Sequence, residues 1–178
     1  MKRFFTLLLL AIFVTGIQAQ QKVTLRDIAQ GTYRAQGISG LKPMLDGEHY
    51  TQISSDHKRI VKYSFKTGEE VGTLFDVTTA RDCDLKSFDD YILSPDEKLI
   101  LIQTETKPIY RHSFTAVYYI YNVKNNKMEP LSNNGPQQVP LFSPDGNQIA
   151  CGRNNNLYLV KLLFGDSESQ VTKGGEYC

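Results

Sequence analysis

The feature that most constrains the fold of this chain is a turn motif that occurs three times. Each copy joins an apolar residue, a tight turn and an apolar-rich run, and the copies are Met44–Tyr50, Leu93–Leu99 and Phe142–Ile149. Successive copies are 50 and 49 residues apart, counted between Asp46, Asp96 and Asp145. A period of this length, built from turns and short strands, is typical of β-propellers, in which antiparallel sheets repeat as blades around a ring.

The residues between these turns read as short strands. Runs rich in β-branched and aromatic residues alternate with Gly, Asn, Asp and Ser, which predicts antiparallel meanders. The predicted strands are 49–54, 59–65, 70–75, 98–104, 115–123, 128–131, 148–152, 157–163 and 170–172. Asp89-Asp90 reads as a turn. The sequence therefore predicts an all-β fold, a partial β-propeller of about three blades over residues 44–178, each blade a four-stranded antiparallel meander.

The turn motif has a local mechanism. In Ser143-Pro144-Asp145-Gly146, proline fixes φ, aspartate bonds back to the backbone, and glycine accepts the positive φ that closes the turn. The middle copy has Glu97 where the other two have glycine, so we expect a different turn type there. A propeller explains these turns without any ligand.

Two segments precede the repeats. Lys2, Arg3, the apolar run 4–17 and the small residue Ala19 predict a signal peptide over residues 1–19, and hence export to the periplasm or the medium. An uncleaved membrane anchor is the alternative, although the run is shorter than the roughly 20 residues that span a bilayer. Within the lead-in segment 20–43, Thr24 and Asp27 have the spacing of a capping box, which predicts a short helix through Ala29 or Gln30.

Charge and cysteine content narrow the functional classes. The chain has 20 basic and 19 acidic residues and a net charge of +1, so its composition does not favour a nucleic-acid partner. Cys83, Cys151 and Cys178 have no metal-ligand spacing, and whether Cys83 and Cys151 pair stays open. The other interpretation of Cys151 is a small buried residue within its strand.

The residues alone present no catalytic constellation. The sequence has no G-x-S-x-G nucleophile elbow, no glycine-rich phosphate loop and no H-E-x-x-H or C-x-x-C pattern. His49, His57 and His112 have no second ligand at a short spacing, and Asp82-Cys83-Asp84 reads as an inter-blade loop rather than a metal loop. We therefore predict no metal site and no cofactor.

One segment, Tyr110–Tyr121, has a composition that suggests binding. Arg111 and His112 come together just before a long aromatic strand, after the connection 105–114. An arginine fork on a loop is suited to holding a carbonyl or carboxylate group. The alternative is an arginine that pairs with a neighbouring acid, and the sequence leaves both interpretations open.

The same segment resembles a known family. Arg111-His112-Ser113-Phe114-Thr115-Ala116, with the strand Tyr119–Val123 after it, resembles the Arg-His-Ser motif and strand of the dipeptidyl peptidase IV family. Residues 37–44 and 46–51 are similar to the start of the bacterial members, and residues 142–160 are similar to a later propeller blade. The likeness runs from Val23 to the C-terminus, and the Arg-His-Ser motif is its most specific part.

The resemblance implies an eight-bladed propeller joined to an α/β-hydrolase domain, whose Ser-Asp-His triad releases X-Pro or X-Ala dipeptides from a free N-terminus. By resemblance, Arg111 reaches into the substrate cavity and contacts the peptide backbone, with His112 and Ser113 as its neighbours. The double-Glu motif, the nucleophile elbow and the triad of that family are absent from this sequence. We therefore expect the 178-residue chain to be inactive as a serine peptidase on its own.

The remaining expectations concern partners. The resemblance implies a peptide substrate with penultimate Pro or Ala and an α/β-hydrolase domain that this sequence does not contain. About three blades are fewer than the four to eight of typical propellers, so we expect a partial product, part of a larger ring, or a chain that associates with copies of itself. A free-standing periplasmic propeller-repeat binding protein is the alternative function.

Overall fold

The computed structural model describes residues 22–35, 37, 40–162 and 167–175. It separates into two compact units, Met1–Ile38 and Ser39–Cys178. The predicted signal peptide lies outside the described residues, and the domain boundaries at residues 19 and 43 stay predictions. No helix in the described ranges has the length and apolar character that crossing a membrane requires.

The first unit contains the predicted helix, α1 (Leu25–Gln30). A reciprocal capping box begins it, because the Thr24 hydroxyl accepts from the Asp27 amide at 3.2 Å and the Asp27 carboxylate accepts from the Thr24 amide at 2.9 Å. The hydrogen bonds from Thr24 lower the pKa of Asp27. Gly31 ends the helix in the left-handed conformation, with φ of 69°.

The second unit consists of three four-stranded antiparallel sheets, each a meander of consecutive strands. Blade 1 contains β1 (Lys42–Pro43), β2 (His49–Ile53), β3 (Arg59–Ser64) and β4 (Glu70–Asp76). Blade 2 contains β5 (Asp90–Leu93), β6 (Leu99–Pro108), β7 (Phe114–Asn122) and β8 (Lys127–Pro130). Blade 3 contains β9 (Gln138–Phe142), β10 (Gln148–Arg153), β11 (Asn156–Lys161) and β12 (Ser167–Gln170). The predicted fold class is confirmed.

Sequence reasoning missed the first strand of every blade. β1 is two residues long, β9 contains Pro140, and β5 begins at Asp90, within the residues predicted as a turn. Such strands have weak intrinsic strand preference and form through pairing with the second strand of their blade. The last strand also differs from the prediction, because β12 pairs Ser167 with Lys161 and Gln170 with Tyr158 and therefore ends where the predicted strand 170–172 begins.

Two apolar clusters fill the spaces between blades. The first lies between blades 1 and 2 and contains Ile60, Phe75, Val77, Phe88, Tyr91, Ile100, Ile102, Tyr121 and Met128. The second lies between blades 2 and 3 and contains Leu101, Ala116, Tyr118, Ile120, Leu131, Ile149 and Val160. Alternation along β6 explains the division, since Ile100 and Ile102 point to one face of the sheet and Leu101 points to the other. Blade 2 is therefore buried on both faces.

The expectation of a different turn at Glu97 was wrong. Glu97 has φ of 58°, close to 68° at Gly47 and 71° at Gly146, and its amide bonds to the Ser94 carbonyl as Gly146 bonds to Ser143. A non-glycine residue in this region costs about 1 kcal/mol. The Glu97 carboxylate partly offsets this cost, because it accepts from the Leu45 amide of blade 1 at 2.6 Å.

A fourth turn of the same kind joins β2 to β3. The Ser54 hydroxyl donates to Asp56 at 2.6 Å, and His57 takes the left-handed position with φ of 56°. This turn has neither proline nor glycine, so the sequence motif did not reveal it.

Both described cysteines are free thiols. Cys151 is buried in β10, as one of the two interpretations of the sequence had it, and Cys83 packs against the cluster between blades 1 and 2. Burial raises the pKa of each thiol. Neither environment is that of a reactive thiolate.

Candidate functional site

Arg111 lies at the tip of a two-stranded arm formed by the longest strands of the chain, β6 and β7. The predicted connection 105–114 was wrong in part, because β6 continues to Pro108 and pairs Lys107 with Thr115 and Pro108 with Phe114. Only residues 109–113 form the loop. The Ser113 carbonyl closes this loop by accepting from the amides of Ile109 at 2.8 Å and Tyr110 at 3.1 Å.

The arm is exposed beyond its base. The side chains of β6 are buried up to Thr104 and exposed from Glu105 onward, and Tyr110 at the tip is 81% exposed. Arg111 and His112 are exposed beside it. Within the described part of the chain, the Arg111 guanidinium has no hydrogen bond or ion pair, so the alternative of a neighbouring acidic partner finds no support there. Its five donors are available to a ligand.

A cleft of about 370 Å³ lies beside the arm, between blades 2 and 3. Its walls combine carboxamides with apolar and cationic side chains, and they are Ile109, Thr115, Asn134, Pro136, Gln138, Arg153, Asn154 and Asn155. Asn154 and Asn155 form the β10–β11 turn, which corresponds in blade 3 to the loop that carries Arg111 in blade 2. Carboxamides both donate and accept hydrogen bonds, so this cleft matches the polarity of a peptide backbone.

The cationic wall of the cleft is neutralised. Arg153 forms a two-point ion pair with Glu168, with Nη1 to Oε2 at 2.9 Å and a second contact from Nη2 to Oε1. The guanidinium also lies 4.0 Å from the centre of the Tyr158 ring. Hydrogen bonding from Arg153 lowers the pKa of Glu168 to about 2. Arg111 therefore differs from Arg153 in having its charge uncompensated among the described residues.

The other predicted candidates serve the turns and the blade connections. His49 Nδ1 lies 2.7 Å from Asp46 Oδ2, and His57 Nδ1 lies 3.1 Å from the Phe88 carbonyl. Asp82 is in the connection between blades 1 and 2, 3.8 Å from the Lys127 ammonium. The described ranges hold no group of three or more side chains placed to bind a metal ion.

Sequence reasoning found Arg111 but not the cleft beside it. The cleft residues come from three separate segments, 109–115, 134–138 and 153–155, that only the packing of blade 3 on blade 2 brings together. A run of asparagines at 154–156 was the available signal, and it reads as a turn. Local sequence therefore indicated Arg111 and gave no indication of the cleft beside it.

Comparison with known proteins places the arm within a family. Residues 94–177, which include the whole arm, match the family described as "Dipeptidyl peptidase IV (DPP IV) N-terminal region". The structure is also similar to the crystal structure of Porphyromonas gingivalis dipeptidyl peptidase 4, with 38% sequence identity and a TM-score of 0.76 over 89% of this chain and 23% of that one. Over residues 94–177 this chain has the N-terminal region of the dipeptidyl peptidase IV family.

Other proteins similar to this chain match different extents of it. Human prolyl endopeptidase FAP is 30% identical over 86% of this chain and 19% of its own length. A probable dipeptidyl-aminopeptidase B of Emericella nidulans is 47% identical over 46% of this chain and 9% of its own length. The chain thus spans a fifth or less of the curated relatives that it matches.

Proposed function

We propose that this chain is the N-terminal propeller portion of an exported dipeptidyl peptidase IV-like exopeptidase, in which Arg111 binds the backbone of a peptide substrate. One observation carries the proposal: an arginine without a partner in the described structure stands at the tip of an ordered arm, beside a carboxamide-lined cleft. A guanidinium fork can donate two parallel hydrogen bonds to a peptide carbonyl or carboxylate.

The proposed substrate is a peptide with Pro or Ala at its second position and a free N-terminus. Arg111 orients this peptide, and a hydrolase domain supplies the acyl-transfer groups that cleave the bond after the second residue. Holding the peptide in one orientation lowers the entropic part of the barrier without any reaction at Arg111 itself. His112 and Ser113 follow Arg111 in the loop, and the Ser113 carbonyl keeps the loop closed.

A free-standing periplasmic binding protein is the second candidate, since the cleft and Arg111 both lie within this chain. The coding DNA beyond codon 178 discriminates between the two functions. An in-frame or frameshifted nucleophile elbow and double-Glu segment favours the peptidase, and an unrelated gene favours the binding protein.

Peptide binding tests the role of Arg111 directly. We expect Gly-Pro-Ala, titrated into the isotope-labelled chain, to shift the NMR signal of the Arg111 side chain. Arg111→Ala removes the charged fork and is expected to weaken binding about tenfold, and Arg111→Lys is expected to weaken it as well because the fork is lost. Lys124→Ala is the charge-matched control, because Lys124 is exposed in the β7–β8 turn at the other end of the same blade. Equal binding by the Arg111→Ala and Lys124→Ala variants contradicts the proposal.

A further inference from the structure

The base of the Arg111 arm contains a β-bulge. Thr104 pairs with Val117, and the next pair is Lys107 with Thr115, so Glu105 and Thr106 together face the single residue Ala116. Glu105 takes the left-handed conformation with φ of 51°. A bulge bends its strand and changes the direction of whatever follows, and here the residues that follow are those of the arm.

Asp89, in the connection between blades 1 and 2, bonds to β6 both before this bulge and at its second residue. Its carboxylate oxygen Oδ2 accepts from the Thr106 amide at 2.9 Å and from the Thr106 hydroxyl at 2.7 Å. Its own amide donates to the Gln103 carbonyl at 2.8 Å. One residue therefore holds both the strand before the bulge and the second residue of the bulge itself.

A buried layer supports the same contact from inside blade 2. The Gln103 carboxamide donates to the Thr106 hydroxyl at 2.8 Å and accepts from the Tyr118 hydroxyl at 3.2 Å. Tyr118 is fully buried in β7, and Gln103 is buried in β6. The Thr106 hydroxyl thus accepts from the buried Gln103 carboxamide and donates to the Asp89 carboxylate. These two contacts fix the orientation of the hydroxyl group.

The residue opposite the bulge is held by the connection that leads into blade 3. Ala116 exchanges two backbone hydrogen bonds with Gln137, at 3.0 Å and 2.8 Å. These backbone groups point away from β6, on the same side as the Tyr118 carbonyl that accepts from Leu131, and Gln137 satisfies them. The base of the arm is consequently fixed on one side by the connection between blades 1 and 2, and on the other by the connection between blades 2 and 3.

We propose that Asp89 is a positioning residue for Arg111: by holding Thr106 it fixes the angle of the bulge, and so the place at which the Arg111 guanidinium meets a peptide. The positioning of a peptide ligand rests on the proposed function, whereas the fixing of the arm does not. Asp89 itself does not touch the ligand.

Hydrogen exchange of the full 178-residue chain tests the fixing of the arm. Asp89→Ala removes both acceptor contacts, and we expect the amides of residues 105–115 to exchange at least about fivefold faster. Asp89→Asn and Thr106→Ser each keep an oxygen able to make the contact and are expected to restore slow exchange. Asp56→Ala is the control, because it removes an equivalent carboxylate from the β2–β3 turn, and it is expected to leave residues 105–115 unchanged.

Exchange in β3 and β10 reports whether each variant remains folded. If Asp89→Ala unfolds the chain, Thr106→Val replaces it, because valine keeps the amide and loses only the hydroxyl. Unchanged exchange of residues 105–115 in a folded Asp89→Ala or Thr106→Val chain overturns the proposal.

A double-mutant cycle with Gly-Pro-Ala tests the coupling to Arg111. We expect Asp89→Ala to weaken binding severalfold in the native chain and to have no effect in the Arg111→Ala chain. An equal loss in both backgrounds overturns the coupling. If Arg111→Ala alone leaves binding unchanged, the proposed function fails, and the exchange data still decide whether Asp89 fixes the arm.

Discussion

Arg153 and Glu168 form a two-point ion pair that crosses strand β11 and joins β10 to β12. Their side chains are only 8% and 13% exposed. The Ser132 hydroxyl accepts from Arg153 Nη1 at 3.0 Å, and Asn134 donates to Glu168 at 3.1 Å. The pair therefore links the third blade internally and fastens it to the connection that precedes it.

This ion pair predicts an acid-sensitive blade. In the folded chain the pKa of Glu168 is about 2, below the ordinary value of 4.5. The contribution of Glu168 to the free energy of unfolding is therefore fully present above pH 4.5 and is lost as the pH falls toward 2. We expect this group to account for about 2 kcal/mol of lost unfolding free energy between pH 6 and pH 3. Urea unfolding across that range measures the loss. Glu168→Gln is expected to be less stable at pH 6 and to show a shallower pH slope, and an unchanged slope contradicts the prediction.

The contact between Thr51 and Tyr91 predicts that the chain loses stability at alkaline pH. The two hydroxyl oxygens lie 2.6 Å apart in the interface of blades 1 and 2, and burial raises the pKa of Tyr91 to about 12. In the unfolded chain the Tyr91 hydroxyl ionises near pH 10. The contribution of Tyr91 to the free energy of unfolding is therefore fully present below pH 10 and is lost as the pH rises toward 12. We expect Tyr91→Phe to cost about 1–2 kcal/mol at neutral pH, because Thr51 loses a buried partner, and to flatten the alkaline slope. Unfolding measured at pH 7 and pH 10.5 decides this.

A comparison of Gly47 with Gly72 tests whether a glycine is required for its backbone conformation or only for the space that it leaves. An added Cβ meets nothing within 4 Å at either Gly47 or Gly72, but only Gly47 has a positive φ, of 68°. Gly47→Ala is expected to destabilise the chain by about 1 kcal/mol, and Gly72→Ala is expected to be neutral or slightly stabilising. Thermal unfolding of the two variants compares them under identical conditions. Equal effects contradict the assignment of the turn conformation.

The outer face of blade 3 predicts self-association of the purified 178-residue chain. Val139 and Leu141 on β9 are 71% and 61% exposed, and Leu157 on β11 is 43% exposed. Exposed apolar surface beside sheet edges favours contact between copies. Static light scattering is expected to show a mass that rises with concentration, and Leu141→Lys is expected to lower it. Ser87→Lys adds the same charge at an exposed polar position and serves as the control. A concentration-independent monomer contradicts this prediction.

We also expect no peptidase turnover from this chain alone. The sequence contains no G-x-S-x-G elbow, so it supplies no activated serine for acyl transfer. Gly-Pro p-nitroanilide incubated with the purified chain is expected to release p-nitroaniline at the rate of the buffer blank. Turnover that survives repurification and disappears in the Arg111→Ala chain contradicts the expectation.

Local signals in the sequence predicted the parts of the fold that form locally. The Thr24–Asp27 capping box predicted helix α1, and the turns at Asp46, Asp96 and Asp145 predicted the starts of β2, β6 and β10. β1, β5 and β9 were missed because their stability comes from pairing rather than from their own residues.

The candidate site likewise has one part that the local sequence predicted and another that it did not. The Arg-His-Ser motif identified Arg111, but the contacts at the base of the arm and in the wall of the cleft join residues distant in the sequence. Asp89 and Thr106 are 17 residues apart, and Arg153 and Glu168 are 15 apart. No spacing rule predicts such pairs, because they depend on the bulge and on the packing of whole blades.

Burial of β6 on both faces limits how this part of the molecule can diversify. A change of volume at Ile100 disturbs one inter-blade contact, and a change at Leu101 disturbs the other, so neither position can drift without a matching change in a neighbouring blade. The edge strands and turns carry no such double constraint. The strand that bears the arm is therefore expected to vary least among homologues. The position of Arg111 would then persist while the edge strands and turns around it diverge.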